Sequence, residues 1–418
     1  MDQRALATFA ALATGFGAAG CPNVRPDPDS IDFNLPDDAY WPDRSTCPGV
    51  GDGRVLVTNN FSDTISVLDL ATFDVVATVP VGLNPVEREG PHHVAAAPDG
   101  EFYYVGISNY VPGSGAGPHG AHGAGTADGH ALKIRAADNV TVASARVDRN
   151  PGDIRLTPDG TRLLMTHFDL KLINDVLSAN PDADVTETYA NLTVIDPATM
   201  TKLSASPLCP APHGLLPSAD GSEAYAACYG SDQVGWIHFG VAGADAPESV
   251  DLFDLAPDAG PPGATRYDPY AVTVSPADGT VWLSCWQTGE LRVFDPSTGG
   301  VDLARTVLVG GVPGFGAFTS DGATLYVPHA GDDRIARIDP NLDPPVVEEQ
   351  IDVPAECTTL HAVKILPGET EVAVVCEGNH ITPGTIVRLD LATGTFDRIV
   401  TVGVFPDDAA VLLPEGGS

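Results

Sequence analysis

Lysine is almost missing from this chain: among 418 residues it occurs only at Lys133, Lys171, Lys202 and Lys364. Lys and Arg together number 21 against 56 Asp and Glu, which leaves a formal net charge of −35. So acidic a surface repels phosphate backbones and anionic lipid head groups, and this excludes nucleic acid and a bare membrane surface as main partners. Aromatic residues are also scarce, at 7%. Apolar runs are short. The longest mild stretch, Ala5 to Gly20, is too brief and too weakly apolar to cross a bilayer. Several catalytic signatures are absent as well: the zincin His-Glu-x-x-His, the Gly-x-Ser-x-Gly nucleophile elbow, a phosphate-binding Gly-Lys-Ser/Thr loop and a dinucleotide fingerprint after a strand. Without Cys-x-x-Cys-His there is no covalent haem of the usual form, and Asp27 to Asp38 lacks calcium-loop spacing.

What is abundant points elsewhere. The chain holds 44 Gly and 37 Pro, yet hydrophobic residues still make up 43%. That balance suits many short strands joined by tight turns around a substantial core.

The N-terminus reads as an export signal over residues 1–20. Arg4 precedes the apolar run, and Ala18-Ala19-Gly20-Cys21 resembles a lipoprotein cleavage box. Cys21 is thus the expected lipidation site, with ordinary cleavage near Ala18 as the alternative. Residues 21–52, rich in Pro and Asp, read as a flexible tether. These features place the protein outside the cytoplasm, at the cell envelope, touching the membrane only through its anchor.

From residue 53 to 416 the sequence repeats at a period of about forty residues. The first unit contains the short β-branched segments Arg54 to Asn59, Thr64 to Asp69 and Val75 to Gly82, then the Pro-led segment Pro91 to Gly100. An Asp-Gly turn recurs at Asp99-Gly100, Asp159-Gly160, Asp220-Gly221, Asp278-Gly279 and Asp321-Gly322, with Pro367-Gly368-Glu369 in its place in a sixth copy. Glycine supplies the positive φ that such a hairpin needs. The Pro-led strand recurs near Pro91, Pro151, Pro212, Pro269, Pro313, Leu360 and Pro406, giving seven copies. The pattern begins at a second strand, Arg54 to Asn59, and ends on an isolated first strand, Asp407 to Pro414. A seven-bladed, all-β propeller of four-stranded antiparallel blades is therefore expected, its ring closed by pairing the two chain ends.

Val57-Thr58-Asn59, the Val67-Leu68-Asp69 ending and Pro98-Asp99-Gly100 resemble the YVTN family of propeller repeats. The resemblance implies the fold. For function it implies an adhesin, a partner scaffold or, more rarely, an enzyme.

Seven Cys in an exported chain predict disulfides. Cys209 and Cys228 are nineteen positions apart, as are Cys357 and Cys376, and both pairs occupy the same places in the repeat. Pairs 209–228 and 357–376 are expected to staple neighbouring blades. Elimination then leaves Cys285 to pair with Cys47.

The eleven His are unevenly placed. His92, His213 and His361 open first strands, which line a propeller's channel, and His93 follows His92. Tyr270 and Asp407 fill the same position in two further blades. His167 and His329 end second strands, where Trp286 and Glu377 are counterparts. His119, His122, His130 and His380 lie in loops on the same face; only His238 maps elsewhere. Imidazoles converging from a rigid ring could hold copper, zinc or iron, or serve as general acids and bases. The adjacent His92-His93 pair is similar to one in nitrous-oxide reductase, whose propeller carries a copper cluster, although this chain has no cupredoxin ligand motif. Alternatively each ring caps a turn or bonds a backbone carbonyl. The leading expectation is an extracytoplasmic scaffold that binds a protein or small molecule on its loop-bearing face. A metal-dependent redox protein using the His cluster is the second, and a propeller lactonase the third.

Overall fold

The computed structural model describes residues 53–82, 88–108 and 123–414. The expected signal segment and tether, lipidation at Cys21, and His119 and His122 lie outside them. Seven sheets of four antiparallel strands are arranged as a seven-bladed β-propeller. Blade 1 is composite: Pro406–Leu412 from the C-terminus pairs with Arg54–Asn59, followed by Thr64–Asp69 and Val75–Pro80. Arg54 stands opposite Leu412 and Asn59 opposite Pro406. The ring thus closes as the phase of the repeat predicts, leaving no sheet edge open at the junction.

The innermost strands of blades 2 to 7 are Pro91–Ala96, Pro151–Leu156, Pro212–Pro217, Pro269–Val274, Ala317–Phe318 and Leu360–Ile365. At the predicted Asp-Gly turns each Asp side chain accepts a hydrogen bond from the backbone N–H two residues on, as in Asp99 from Glu101 at 2.9 Å and Asp220 from Ser222 at 3.0 Å. Gly100 takes φ +71°, and a Cβ there would lie 1.9 Å from the Leu413 carbonyl. Only glycine fits.

Two local features determine what reaches the axis. The residue before each of the repeated segments opening at Pro91, Pro151, Pro212, Pro269, Pro313, Leu360 and Pro406 is left-handed: Gly90, Asn150, Ala211, Asp268, Val312, Thr359 and Phe405 all have φ between 43° and 58°. Then comes a β-bulge. Pro91 to Val94 spans three steps while its partner strand, Ile107 to Val105, spans two, and the bulge recurs at Pro151/Ile154 and Pro212/Leu215. An extra residue breaks the usual alternation of faces. The two residues after the Pro can therefore both be enclosed, as His92 and His93 are.

The disulfides Cys209–Cys228 and Cys357–Cys376 are present, with Cα separations of 5.9 and 5.0 Å. Cys209 ends the outer strand of blade 3 and Cys228 the second strand of blade 4, so this bond staples neighbours as expected. Two disulfides point to an oxidising, extracytoplasmic location. No helix among the described residues is long and apolar enough to cross a membrane.

The third expected pairing, Cys47–Cys285, is not formed. Cys285 is a free, fully buried thiol packed with Tyr225, Val234 and Leu255, its Sγ 3.8 Å from the Leu283 carbonyl. Its counterpart nineteen positions back is Arg266, which offers no sulfur. Cys47 lies outside the described residues. Burial pushes the Cys285 thiol well above its ordinary pKa. Cys285 should therefore escape alkylation in native buffer and label fully in denaturant, as peptide mass mapping will read. Rapid native labelling would mean that this core opens locally.

Candidate metal centre

The second residues of the seven repeated segments form a ring around the axis: His92, Gly152, His213, Tyr270, Gly314, His361 and Asp407. The third residues form the next layer, in which His93, Asp153, Phe315 and Asp408 carry the functional groups. Backbone brackets hold these layers in register. Thr58 Oγ1 accepts from Asp408 N–H (2.9 Å) and donates to the His92 carbonyl (2.6 Å). Thr166 Oγ1 does the same between Asp153 N–H (2.9 Å) and the His213 carbonyl (2.5 Å). Each hydroxyl ties one blade's carboxylate residue to the next blade's histidine.

The ring groups lie inside the channel, beneath cover. His92, His93 and His213 are 0% exposed. Phe168 packs edge-on against His213, Tyr229 and Tyr270. Against Phe168 packs the helix Leu170–Ala179. Asp169 caps it by accepting from Leu172 N–H, and Ile173 is its buried residue.

The ring nitrogens are oriented in a specific way. His213 Nδ1 lies 3.2 Å from the Tyr270 carbonyl, an obligate acceptor, so Nδ1 carries the proton and Nε2 presents a lone pair. His92 Nδ1 lies against Asp407 Oδ2, which also accepts from Asn60 Nδ2 at 3.0 Å. Asp407 Oδ1 is 3.1 Å from His361 Nδ1. With Asp407 Oδ2 against its Nδ1, His92 turns Nε2 toward His213. These two Nε2 atoms face each other at 3.0 Å. Two ring nitrogens at that distance share either a proton, as an N–H···N hydrogen bond, or a metal ion. Two imidazoles on one ion with bonds of about 2.0–2.1 Å stand roughly 2.9–3.4 Å apart.

His93 completes the set: one ring nitrogen of each of His92, His93 and His213 lies within 4.8 Å of the others. His93 Nδ1 is 3.0 Å from Asp153 Oδ1 and 3.3 Å from Asp408 Oδ2, while its Nε2 makes no hydrogen bond among the described residues. His92 and His213 thus have Nδ1 on an acceptor, the arrangement that orients metal-ligating histidines, while His93 Nδ1 lies within ion-pair distance of two carboxylates without a hydrogen bond to either. Burial alone would depress the His93 pKa, but the Asp153 and Asp408 carboxylates outweigh it and raise it to about 9. An ion bound here would replace that proton, as is usual for a ligating imidazole.

Beyond this layer the charge is balanced. Arg155 lies 3.1 Å from Asp153 and 3.7 Å from Asp408, and Lys364 lies 2.9 Å from Asp408. Burial raises both carboxyl pKa values. Arg155 and then His93 more than offset this at Asp153; at Asp408, Lys364, His93 and Arg155 hold the carboxyl well below its ordinary range. Arg155, Lys364 and Phe315 line a cavity of about 380 Å³ that opens toward the Asp-Gly hairpins, at the opposite end from the His ring.

Among the sequence candidates, His92, His93, His213, His361, Tyr270 and Asp407 come together, with Glu377 3.9 Å from His361 Nε2 and Trp286 stacked on Tyr270 at 3.7 Å. His167 and His329 do not join them. His167 bonds Thr193 Oγ1 (2.9 Å) and the Arg149 carbonyl (3.2 Å). His329 bonds Gln350 Oε1 at 2.8 Å. His380 lies 2.5 Å from Glu377, and His238 pairs with Asp251 at 3.2 Å. Sequence reasoning missed Asp153, Asp408, Arg155 and Lys364. Their signal was available one and three columns further along the aligned Pro-led strands.

The architecture defines a seven-bladed β-propeller with a histidine- and carboxylate-filled channel. No protein-family profile matches the chain, nor does any curated protein sequence. Solved structures do. The periplasmic gluconolactonase of Pseudomonas aeruginosa superposes with a TM-score of 0.58 at 18% identity, covering 86% of this chain and 99% of that one. A candidate 6-phosphogluconolactonase of Bacteroides uniformis gives 0.60 at 14%, over 86% and 99%. A dihydro-haem d1 dehydrogenase gives 0.55 at 12%, over 91% and 78%. At such identities the likeness concerns the fold.

Proposed function

We propose that the protein is an extracytoplasmic, metal-dependent redox propeller, tethered to the cell envelope through Cys21. The ion is held in the channel by His92, His93 and His213. One observation carries the reading: one ring nitrogen of each of the buried His92, His93 and His213 lies within 4.8 Å of the others, with the Nε2 atoms of His92 and His213 facing each other at 3.0 Å. Neutral imidazoles suit copper, zinc, iron and nickel, and copper heads the affinity order. Copper or iron would supply one-electron chemistry. The chain's own groups orient the ligands, exclude bulk water with the Phe168–Tyr229–Trp286 cover, and balance charge through Asp153, Asp408, Arg155 and Lys364.

The test is elemental analysis after refolding with copper, zinc and iron followed by gel filtration. About one ion per chain should be retained and then released by a strong chelator. A wild-type chain that retains none of the three contradicts the reading.

A second reading, lactone hydrolysis, is favoured by a separate observation. The cavity at the opposite end supplies Arg155 and Lys364 beside a space of about 380 Å³, large enough for a sugar lactone. One neighbour of this fold is named as a gluconolactonase and another as a candidate 6-phosphogluconolactonase. Turnover of gluconolactone above the spontaneous rate, abolished by Arg155→Gln and independent of metal, would support it over the redox reading.

A further inference from the structure

We infer that Tyr270 is a redox-active tyrosine, relaying electrons one at a time between the histidine centre and the half-buried indole of Trp286. The inference rests on the redox reading for its electron source, but the relay itself is built from the chain's own side chains.

Three flat rings stack in series. His213 and Tyr270 have centroids 3.7 Å apart with planes 21° apart, and Tyr270 and Trp286 have centroids 3.7 Å apart with planes 27° apart. Offset stacking of aromatic rings is ordinary in cores, at centroid spacings of about 4.5–7 Å. A continuous stack tighter than that, running from a candidate ligand to a partly exposed indole, is not what packing alone requires. Tyr270 is also tied to the same histidine through its backbone, since its carbonyl accepts from His213 Nδ1.

The second requirement is a place for the phenol proton. Oxidising a buried phenol without removing its proton would leave a cation radical in a low-dielectric site, which is costly. His361 removes the need. Its Nδ1 lies against the Asp407 carbonyl and 3.1 Å from Asp407 Oδ1, both acceptors here, so Nδ1 carries the proton and Nε2 accepts. Tyr270 Oη lies 3.2 Å from that Nε2, within reach for proton transfer. The Asp407 carboxylate and Glu377, 3.9 Å from Nε2, would stabilise the resulting imidazolium.

The step balances. Tyr270 loses one electron through Trp286 to a one-electron acceptor at the surface. Its O–H bond breaks and the proton forms an N–H bond at His361 Nε2, leaving a neutral tyrosyl radical and an imidazolium. An electron arriving from the His213 side and return of the proton restore the phenol. With a net charge of −35, a cationic acceptor would be drawn to the protein.

The experiment uses the metal-free full chain, so that its outcome is separate from metal retention. A tris-bipyridyl ruthenium complex with a sacrificial acceptor serves as flash oxidant, with transient absorption and freeze-quenched EPR as readouts. Wild type should give a neutral tyrosyl radical. Tyr270→Phe, which keeps the stack, should remove it and leave an indole radical. His361→Gln should slow tyrosyl formation at least tenfold and abolish its solvent deuterium effect, and Trp286→Leu should slow it while leaving that effect in place. A tyrosyl signal unchanged in Tyr270→Phe overturns the inference, and so does a rate indifferent to His361→Gln. Metal retained without this radical would refute the relay alone; the radical without retained metal would refute the metal reading alone.

Discussion

Replacing Asp408 by alanine is expected to cost about 3–5 kcal/mol of folding stability, the range for breaking a buried ion pair by removing one partner. Asp408 is 0% exposed and faces Lys364 at 2.9 Å, His93 at 3.3 Å and Arg155 at 3.7 Å. Without it, Asp153 alone would have to balance all three. Burial opposes the charged carboxyl, yet Lys364, His93 and Arg155 together hold its pKa well below the ordinary carboxylate range. A depressed folded-state pKa contributes stability that is present above the unfolded value and is lost only as pH falls through the folded one. At neutral pH, therefore, the full contribution is at stake. Urea denaturation followed by circular dichroism measures the loss, and Asp408→Asn, which keeps the shape, should fall between wild type and alanine. A loss below about 1 kcal/mol would mean that the network behaves as a solvated surface pair.

The second large effect concerns the ion. His213→Ala and His92→Ala each remove one of the two facing donors and should abolish ion retention through gel filtration. Asp407→Ala removes the acceptor that orients His92 and should weaken binding by about 10–100-fold, the usual consequence of disturbing a ligand's hydrogen-bonded partner. His329→Gln is the contrasting variant. That histidine already bonds Gln350 at 2.8 Å, away from the axis, so its loss should leave ion affinity unchanged. Competitive titration against a chromophoric chelator reads all four.

The propeller was legible because its determinants are local and recur. Each Asp-Gly turn has its own side-chain acceptor, six of the seven inner segments have a leading Pro, and the incomplete blade at either chain end has its missing complement at the other. The two disulfides were legible for the same reason: one spacing occurred twice at equivalent positions. Cys285 was not, because elimination says nothing about what a thiol packs against.

At the site, the first-column residues His92, His213, Tyr270, His361 and Asp407 could be read from the alignment of Pro-led strands. The second layer could not be inferred from strand alternation, which would turn His93, Asp153 and Asp408 away from the axis. The bulge after each Pro brings them inward, and it has no residue signature beyond the left-handed position before it, filled variously by Gly, Asn, Ala, Asp, Val, Thr and Phe. His167 and His329 were drawn into the candidate set by strand-end position. Their rings instead turn sideways, to Thr193 and Gln350 in the same blades, which only side-chain packing decides.

The most direct measurement of the central claim is anomalous diffraction at the copper edge from crystals of the copper-loaded chain. A single peak within bonding distance of His92, His93 and His213 is the expected result. A peak confined to surface carboxylates, with the channel histidines unoccupied, would contradict it.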